Sequence, residues 1–253
     1  MNLLKKTNLY LIITVLVFLF VLKTFIFDLS AYPSQVIDLT NWKLTLPMGS
    51  AENPKEIKQP ELAKYRINLW FIVSKGDGVR FRAPVNGVTT SGSKYPRTEL
   101  REMSNNGSEN AAWSSAKGIH TMFLDQAITA VPQSKKHVVA GQIHDAEEDI
   151  IVIRLDYPNL YIKVGEKNKY KLDSDYKLGK RFSVKFDVSE GKTRIYYNDI
   201  SEPVYILKKK YSRAYFKAGI YVQSNCETES SVRLCNDKNY GEVIIYQLIV
   251  THQ

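Results

Sequence analysis

Three short stretches carry side chains able to do chemistry, and in each the polar groups recur at every second residue. Arg97, Glu99 and Arg101 alternate within Tyr95-Pro96-Arg97-Thr98-Glu99-Leu100-Arg101-Glu102. Gln142 and His144 flank Ile143, and Tyr215, Lys217, Gly219, Tyr221 and Gln223 alternate with Phe216, Ala218, Ile220 and Val222. A period of two is that of a β-strand, so each polar set shares one face with apolar residues behind it. Guanidinium and amide donors can neutralise a substrate carboxylate. Once that charge is neutralised, the proton on the adjacent carbon becomes acidic enough for an imidazole to remove, and a phenol can protonate a departing oxygen. A uronic acid polymer presents that arrangement, with the proton on C5 and the leaving oxygen on C4.

Each stretch alone also has a plain structural reading. Residues 97–101 read functionally as a charge ladder in which Glu99 fixes both arginines and an end arginine is left for a ligand carboxylate, and structurally as a surface cross-strand salt-bridge row. Residues 215–223 could be an amphipathic strand with tyrosines on its rim, Gly219 leaving room for close approach to the backbone. Gln142 and His144 are harder to dismiss. Val138-Val139-Ala140 before them marks a central strand, where a polar pair is costly unless something satisfies it. His120, His137 and His252 read as structural histidines.

These groups need strands to hold them, and the chain supplies about a dozen. After Pro33, alternating segments separated by turn residues run at 36–46, 67–73, 79–83, 97–103, 118–125, 137–144, 150–156, 160–164, 182–188, 194–197, 215–223 and 243–250. Only Pro60 to Tyr65 reads as a short helical turn. The pattern predicts an all-β sandwich of two antiparallel sheets rather than βαβ units. No phosphate-binding glycine loop, dinucleotide fingerprint, HExxH or GxSxG occurs. Asp145, Glu147, Glu148 and Asp149 lack the glycine-punctuated spacing of a calcium loop and read as a solvated hairpin turn. No metal and no cofactor are expected.

Formal charge is +9; the first 28 residues carry a net +2, leaving +7 on the rest. That excess favours a polyanionic partner. No basic block resembles a nucleic-acid arm, Lys208-Lys209-Lys210 being the longest run and read as a solvated turn. Lys5 and Lys6 precede an apolar run from Leu9 to Leu22, and apolar character resumes at Phe25-Ile26-Phe27. Residues 1–30 are therefore either a signal peptide or, through residues 9–27, an uncleaved membrane anchor. Either way a secreted or periplasmic domain is expected over 34–253, and a monomer. In an oxidising compartment Cys226 and Cys235 read as a loop-closing disulfide, two free thiols being the alternative. Asn106-Gly107-Ser108 is an acceptor sequon wherever the host glycosylates exported proteins.

The three stretches occur together, and in the same order, in the alginate lyases of polysaccharide lyase family 7, which this chain resembles. The resemblance begins at Asn41-Trp42-Lys43-Leu44-Thr45-Leu46-Pro47 and runs through Ala83-Pro84-Val85-Asn86-Gly87-Val88-Thr89-Thr90-Ser91-Gly92-Ser93 to the motifs at 95–102, 142–144 and 215–223. It implies a β-jelly roll with a concave groove for alginate, cut by metal-independent β-elimination. By that resemblance Arg97 and Gln142 neutralise the substrate carboxylate, His144 is the base and Tyr221 the acid. Arg101, Lys217, Tyr215 and Gln223 are then substrate contacts, and Glu99 orients the arginines. Ile143 between Gln142 and His144 implies a preference for guluronate-containing blocks. Val222 stands where the family often has Asn, on the inward face, so the departure leaves the site untouched. Two other readings compete: a non-catalytic carbohydrate-binding β-sandwich, which has no need of His144 and Tyr221 together, and a glycoside hydrolase, which requires two spaced carboxylic acids.

Overall fold

The computed structural model describes residues 31–74 and 77–253. Residues 1–30, expected from the sequence to be a signal peptide or membrane anchor, lie outside the described residues. Sixteen strands follow in chain order: β1 (Trp42–Ser50), β2 (Asn53–Ile57), β3 (Phe71–Val73), β4 (Val79–Pro84), β5 (Arg97–Ser104), β6 (Glu109–Asn110), β7 (Ile119–Ala130) and β8 (His137–His144). The others are β9 (Asp149–Asp156), β10 (Asn159–Val164), β11 (Lys167–Asp173), β12 (Phe182–Ser189), β13 (Lys192–Tyr197), β14 (Tyr205–Lys208), β15 (Tyr215–Val222) and β16 (Tyr240–His252). Short 3-10 turns occur at Pro33–Gln35, Glu61–Lys64 and Val232–Leu234. The second of these falls where the helical turn is predicted.

The strands form two antiparallel sheets, the sandwich of a β-jelly roll. One has the order β11-β10-β9-β8-β15-β5-β1-β2, with β6 beside β5; the other has the order β14-β13-β12-β7-β16-β4-β3. The apolar half of each alternating strand packs between them. Phe216, Ala218, Ile220 and Val222 are fully buried, as are Ile143, Leu100, Phe81 and Leu124. In β12 buried and half-buried residues alternate strictly, as one solvated face requires. In β8 and β15 most residues on both faces are buried. Their second face is the floor of a groove.

Two glycines let the sheet bend there. Gly219 has φ +130°, and a Cβ on it would lie 2.5 Å from the Thr98 carbonyl oxygen and 2.9 Å from Glu99 Cα. Gly141, with φ +104°, lies opposite on β8. Between them the β8–β15 register slips by one residue, from Lys217 opposite Gln142 to Tyr221 opposite Val139. Such a bulge adds twist and re-aims the side chains on either side of it.

Behind the floor, the buried carboxylate of Glu102 ties three elements to the start of β15. It accepts from the Phe216 N–H (2.8 Å) and from Trp113 Nε1 (3.0 Å), and His252 Nε2 lies 2.5 Å away. His252 Nδ1 lies 2.7 Å from Nδ1 of His120, whose Nε2 faces two backbone carbonyls. His120 and His252 thus sit in a structural network. Cys226 and Cys235 are joined as a disulfide that closes the loop after β15.

Candidate active site

β5, β15 and β8 are consecutive neighbours, so the three chemistry-bearing stretches share one surface. The ladder sets their rows: Tyr221 lies opposite Arg97, Lys217 between Arg101 and Gln142, and Tyr215 opposite His144. Arg97, Gln142, His144, Tyr221 and Gln223 line a cavity of about 310 Å³ over this surface. His144 belongs to the Tyr215 row and Tyr221 stands six residues further along β15, so the two enter the cavity from opposite ends. Glu99, Lys217, Arg101 and Tyr215 do not line it.

Glu99 is the hub beneath the floor. It is buried, with Lys217 Nζ at 2.6 Å and Arg97 Nη1 at 3.3 Å from Oε2, while Gln142 Nε2 donates to Oε1 at 2.5 Å. Burial alone would raise the Glu99 carboxyl, but the Lys217 and Arg97 cations overcome it and hold the group below the usual range. Burial pulls Lys217 down to about 8, an effect that Glu99 only partly offsets. Two cations against one carboxylate leave a local positive charge around Arg97, while Glu147, Glu148, Asp149 and Glu166 also line the cavity, with Arg154 and Lys163. The Arg97 guanidinium lies 3.9 Å from the Tyr221 ring centre, and its buried Nε has no hydrogen-bond partner.

One sequence expectation needs correction here. Glu99 does not fix both arginines of the ladder. Arg101 instead donates to the Glu102 and Ala111 carbonyls and stacks over the Tyr215 ring at 3.9 Å. Lys217, across the ladder from Arg101, takes the place on Glu99. Lys217, expected as a groove contact, is only 7% exposed and its ammonium faces this carboxylate. Arg101 and Tyr215, expected to touch substrate, form a cation–aromatic pair outside the cavity lining.

His144 is held by its Nδ1, which lies 2.6 Å from the Asp145 carbonyl oxygen, and its ring stacks on Tyr215 with centres 5.4 Å apart. A carbonyl can only accept, so Nδ1 carries the hydrogen and the neutral ring keeps its lone pair on Nε2. Burial lowers the His144 pKa below its ordinary value; the Asp145 bond opposes this, and the Lys217 charge adds to it. The neutral base is therefore the favoured form. Ile143 between the two polar groups is fully buried.

Tyr221 Oη lies 2.8 Å from Ser93 Oγ, and its ring meets the edge of Tyr95 with centres 6.4 Å apart. Ser93 and Tyr95 come from the loop before β5. Lys135 donates to Tyr95 Oη at 2.9 Å. Gln223 presents its oxygen to Arg154 Nη1 (3.0 Å), whose remaining nitrogens meet His137 Nδ1 (2.9 Å) and Asp156 (2.6 Å). His137 thus belongs to a side-chain network, and Arg154 joins the lining as a cation from β9. Sequence reading missed Ser93, Tyr95, Lys135 and Arg154. The first three lie on loops, and Arg154 looks like any polar position of an alternating strand; the signal for Arg154 was its two-residue spacing from Asp156 on the groove-facing side.

Asp145 to Asp149 form the β8–β9 hairpin, as a turn. Asp145 Oδ1 accepts from the Glu147 and Glu148 N–H groups, and Glu147 and Glu148 pair with Arg213 and Lys209. Burial raises the Asp149 carboxyl. Among the described residues no group of three or more His, Cys, Asp or Glu side chains could hold a metal ion.

The alginate lyase family model Alginate_lyase2 matches residues 37–252. The structure of the alginate lyase AlgAT5 from polysaccharide lyase family 7 is 47% identical, covering 88% of this chain and 100% of that one, with a TM-score of 0.82. An alginate lyase from Corynebacterium sp. is 46% identical over 89% of this chain and 100% of its own, with a TM-score of 0.84. A curated alginate lyase from Klebsiella pneumoniae is 26% identical over 87% of this chain and 91% of its own length.

Proposed function

The chain belongs to the alginate lyases of polysaccharide lyase family 7, and on that premise we propose that it cleaves alginate by a β-elimination carried by Arg97, Gln142, His144 and Tyr221. It is an alginate lyase. The roles follow from what each group has left to offer. The Arg97 face not engaged by Glu99, together with the second N–H of the Gln142 amide, binds and neutralises the C5 carboxylate. His144 Nε2 removes the C5 proton. Tyr221 gives its phenolic proton to the C4 oxygen as that bond breaks. Glu99 and Lys217 hold the donors from below, and Arg154 and Gln223 extend the polar lining along the groove.

The observation that carries this reading is the approach of His144 and Tyr221 to one cavity from opposite ends, with Nδ1 of the histidine committed to a carbonyl. Mannuronate and guluronate differ in configuration at C5. In guluronate the C5 proton is anti to the leaving oxygen, which suits a base and an acid on opposite sides. The proposed preference is accordingly for guluronate-containing blocks. The elimination is proposed to need no metal, because Arg97 and Gln142 supply the charge neutralisation that a cation would otherwise provide. Export of the domain, with residues 1–30 as signal or anchor, completes the proposal.

The test is the ultraviolet absorbance of the new C4–C5 double bond, followed on purified polyguluronate, polymannuronate and mixed blocks, with and without a chelator. Faster initial rates on guluronate-containing blocks that survive chelation are expected. Full loss of activity on chelation, restored by one divalent ion, would overturn the metal-independent step; a clear polymannuronate preference would overturn the block assignment.

A further inference from the structure

The loop between β4 and β5 places one hydroxyl against the proposed acid, and the surrounding contacts show that its position is built. Ser93 Oγ lies 2.8 Å from Tyr221 Oη. Among the described residues no other group hydrogen-bonds that phenol. Ser93 is fixed from both sides: its N–H donates to the Thr90 carbonyl, and its Oγ accepts the Tyr95 N–H at 3.1 Å. The next residues are pinned as well. Asn225 Nδ2 donates to the Lys94 carbonyl, and Lys135 holds the Tyr95 hydroxyl while the Tyr95 ring packs on Tyr221.

We propose that Ser93 is a positioning residue for Tyr221, donating its hydroxyl hydrogen to the phenolic oxygen so that the phenolic proton is left for the leaving group. Either atom of this pair can donate, and the direction is chosen by the shorter of the two contacts open to the Ser93 hydrogen and by the need to keep the phenolic proton for the leaving group. Ser93 Oγ already accepts from Tyr95, and its own hydrogen has two acceptors in reach: the Tyr95 carbonyl at 3.2 Å and Tyr221 Oη at 2.8 Å. If Tyr221 donated to Ser93, its proton would point away from the sugar. With Ser93 donating, that proton is free.

The bond gains strength as the reaction proceeds. When the phenolic proton passes to O4, Tyr221 becomes a phenolate, and a hydroxyl aimed at a full negative charge makes a stronger bond than one aimed at a neutral phenol. The Arg97 guanidinium over the ring favours the same charge. An interaction that strengthens only in the transition state raises kcat and leaves substrate binding unchanged. Protons balance over the cycle: the C5 proton leaves through His144 to solvent, its electron pair becomes the C4–C5 double bond as the C4–O bond breaks, the phenolic proton stays on the departing oxygen as the C1 hydroxyl of the released sugar, and one solvent proton restores Tyr221.

This inference rests on the reading of Tyr221 as the acid, and a double-mutant cycle separates the two. Ser93→Ala in the otherwise unchanged protein should lower kcat by about 10- to 100-fold, the range of a lost hydrogen bond to a charged group, with KM within about twofold. Ser93→Thr, which keeps the hydroxyl, should restore most of the rate. In a Tyr221→Phe background, Ser93→Ala should have no further effect on the residual rate. Parent-like kcat in Ser93→Ala would overturn the inference, as would the same fold loss with and without the Tyr221 hydroxyl. Normal turnover by Tyr221→Phe alone would instead remove the acid assignment on which it stands.

Discussion

Lys217 Nζ and Glu99 Oε2 lie 2.6 Å apart beneath the groove, and both side chains are almost wholly withdrawn from water. A pair in that position costs desolvation on both sides and is held because each charge needs the other. Glu99 also bears Arg97 and Gln142, so one carboxylate spaces three donors at once.

Replacing Glu99 by Gln should therefore harm the fold as well as the chemistry. Two buried cations would lose their counter-charge, and breaking a buried pair typically costs about 3–5 kcal/mol. Urea unfolding of Glu99→Gln should show that loss, and Glu99→Gln/Lys217→Met should recover part of it. A Glu99→Gln variant as stable as the parent would show that the pair is not needed to hold the site.

The acid limb of the rate profile should report His144. Burial lowers its pKa below 6.5, so the base stays unprotonated below the ordinary imidazole value. The limb should fall below pH 6.5. Below that value the unfolded chain takes up the proton that the folded ring resists, so the His144 contribution to stability is lost as pH falls from 6.5 through the folded value. Lys217→Met removes a nearby cation and should move the limb of kcat/KM upward. A limb unchanged by Lys217→Met would show that the limb reports another group.

Gly219→Ala tests the bend in β15. The added methyl would meet backbone at 2.5 Å in a conformation that L residues rarely adopt. That backbone strain alone costs about 1–3 kcal/mol. A lower melting temperature and a lower kcat are expected together, because β15 carries Tyr221. Gly92→Ala is the control, with open space around the position, and should melt like the parent.

Ile143→Val addresses block preference. Ile143 is fully buried and lies opposite Phe216 in the ladder, so it acts by setting where Gln142 and His144 stand. The lost methylene should cost about 0.5–1.5 kcal/mol of stability and lower the ratio of polyguluronate to polymannuronate rates. An unchanged ratio in a folded variant would place the preference elsewhere.

The sequence made the central strands and their faces legible and left the margins unread. The 137–144 segment is predicted with the observed bounds, and 97–103, 150–156, 182–188 and 215–223 to within a residue or two. Unpredicted were β2, β6, β11 and β14; β6 is a two-residue strand beside β5, and the other three are outermost strands. An edge strand buries little, so Asn53-Pro54-Lys55-Glu56-Ile57 and Lys167-Asn168-Lys169-Tyr170-Lys171 carry no apolar alternation to detect. The same limit applies to the site. Arg97, Gln142, His144 and Tyr221 were visible because each lies in a polar-apolar alternation with a chemical sense. The exchange of Arg101 for Lys217 on Glu99 depends on register between strands more than a hundred residues apart, which no local pattern encodes.

β11 has a further consequence, for how these molecules behave towards one another. As the outermost strand it leaves one row of backbone N–H and carbonyl groups without a ladder partner among the described residues, and Lys167, Lys169 and Lys171 stand exposed along it. Lysines on an open edge repel a second copy that would otherwise add its own strand there. Replacing them with neutral residues to retune polyanion binding would therefore remove the guard on that edge, and the cost would first be seen as self-association on concentration rather than as a change in rate.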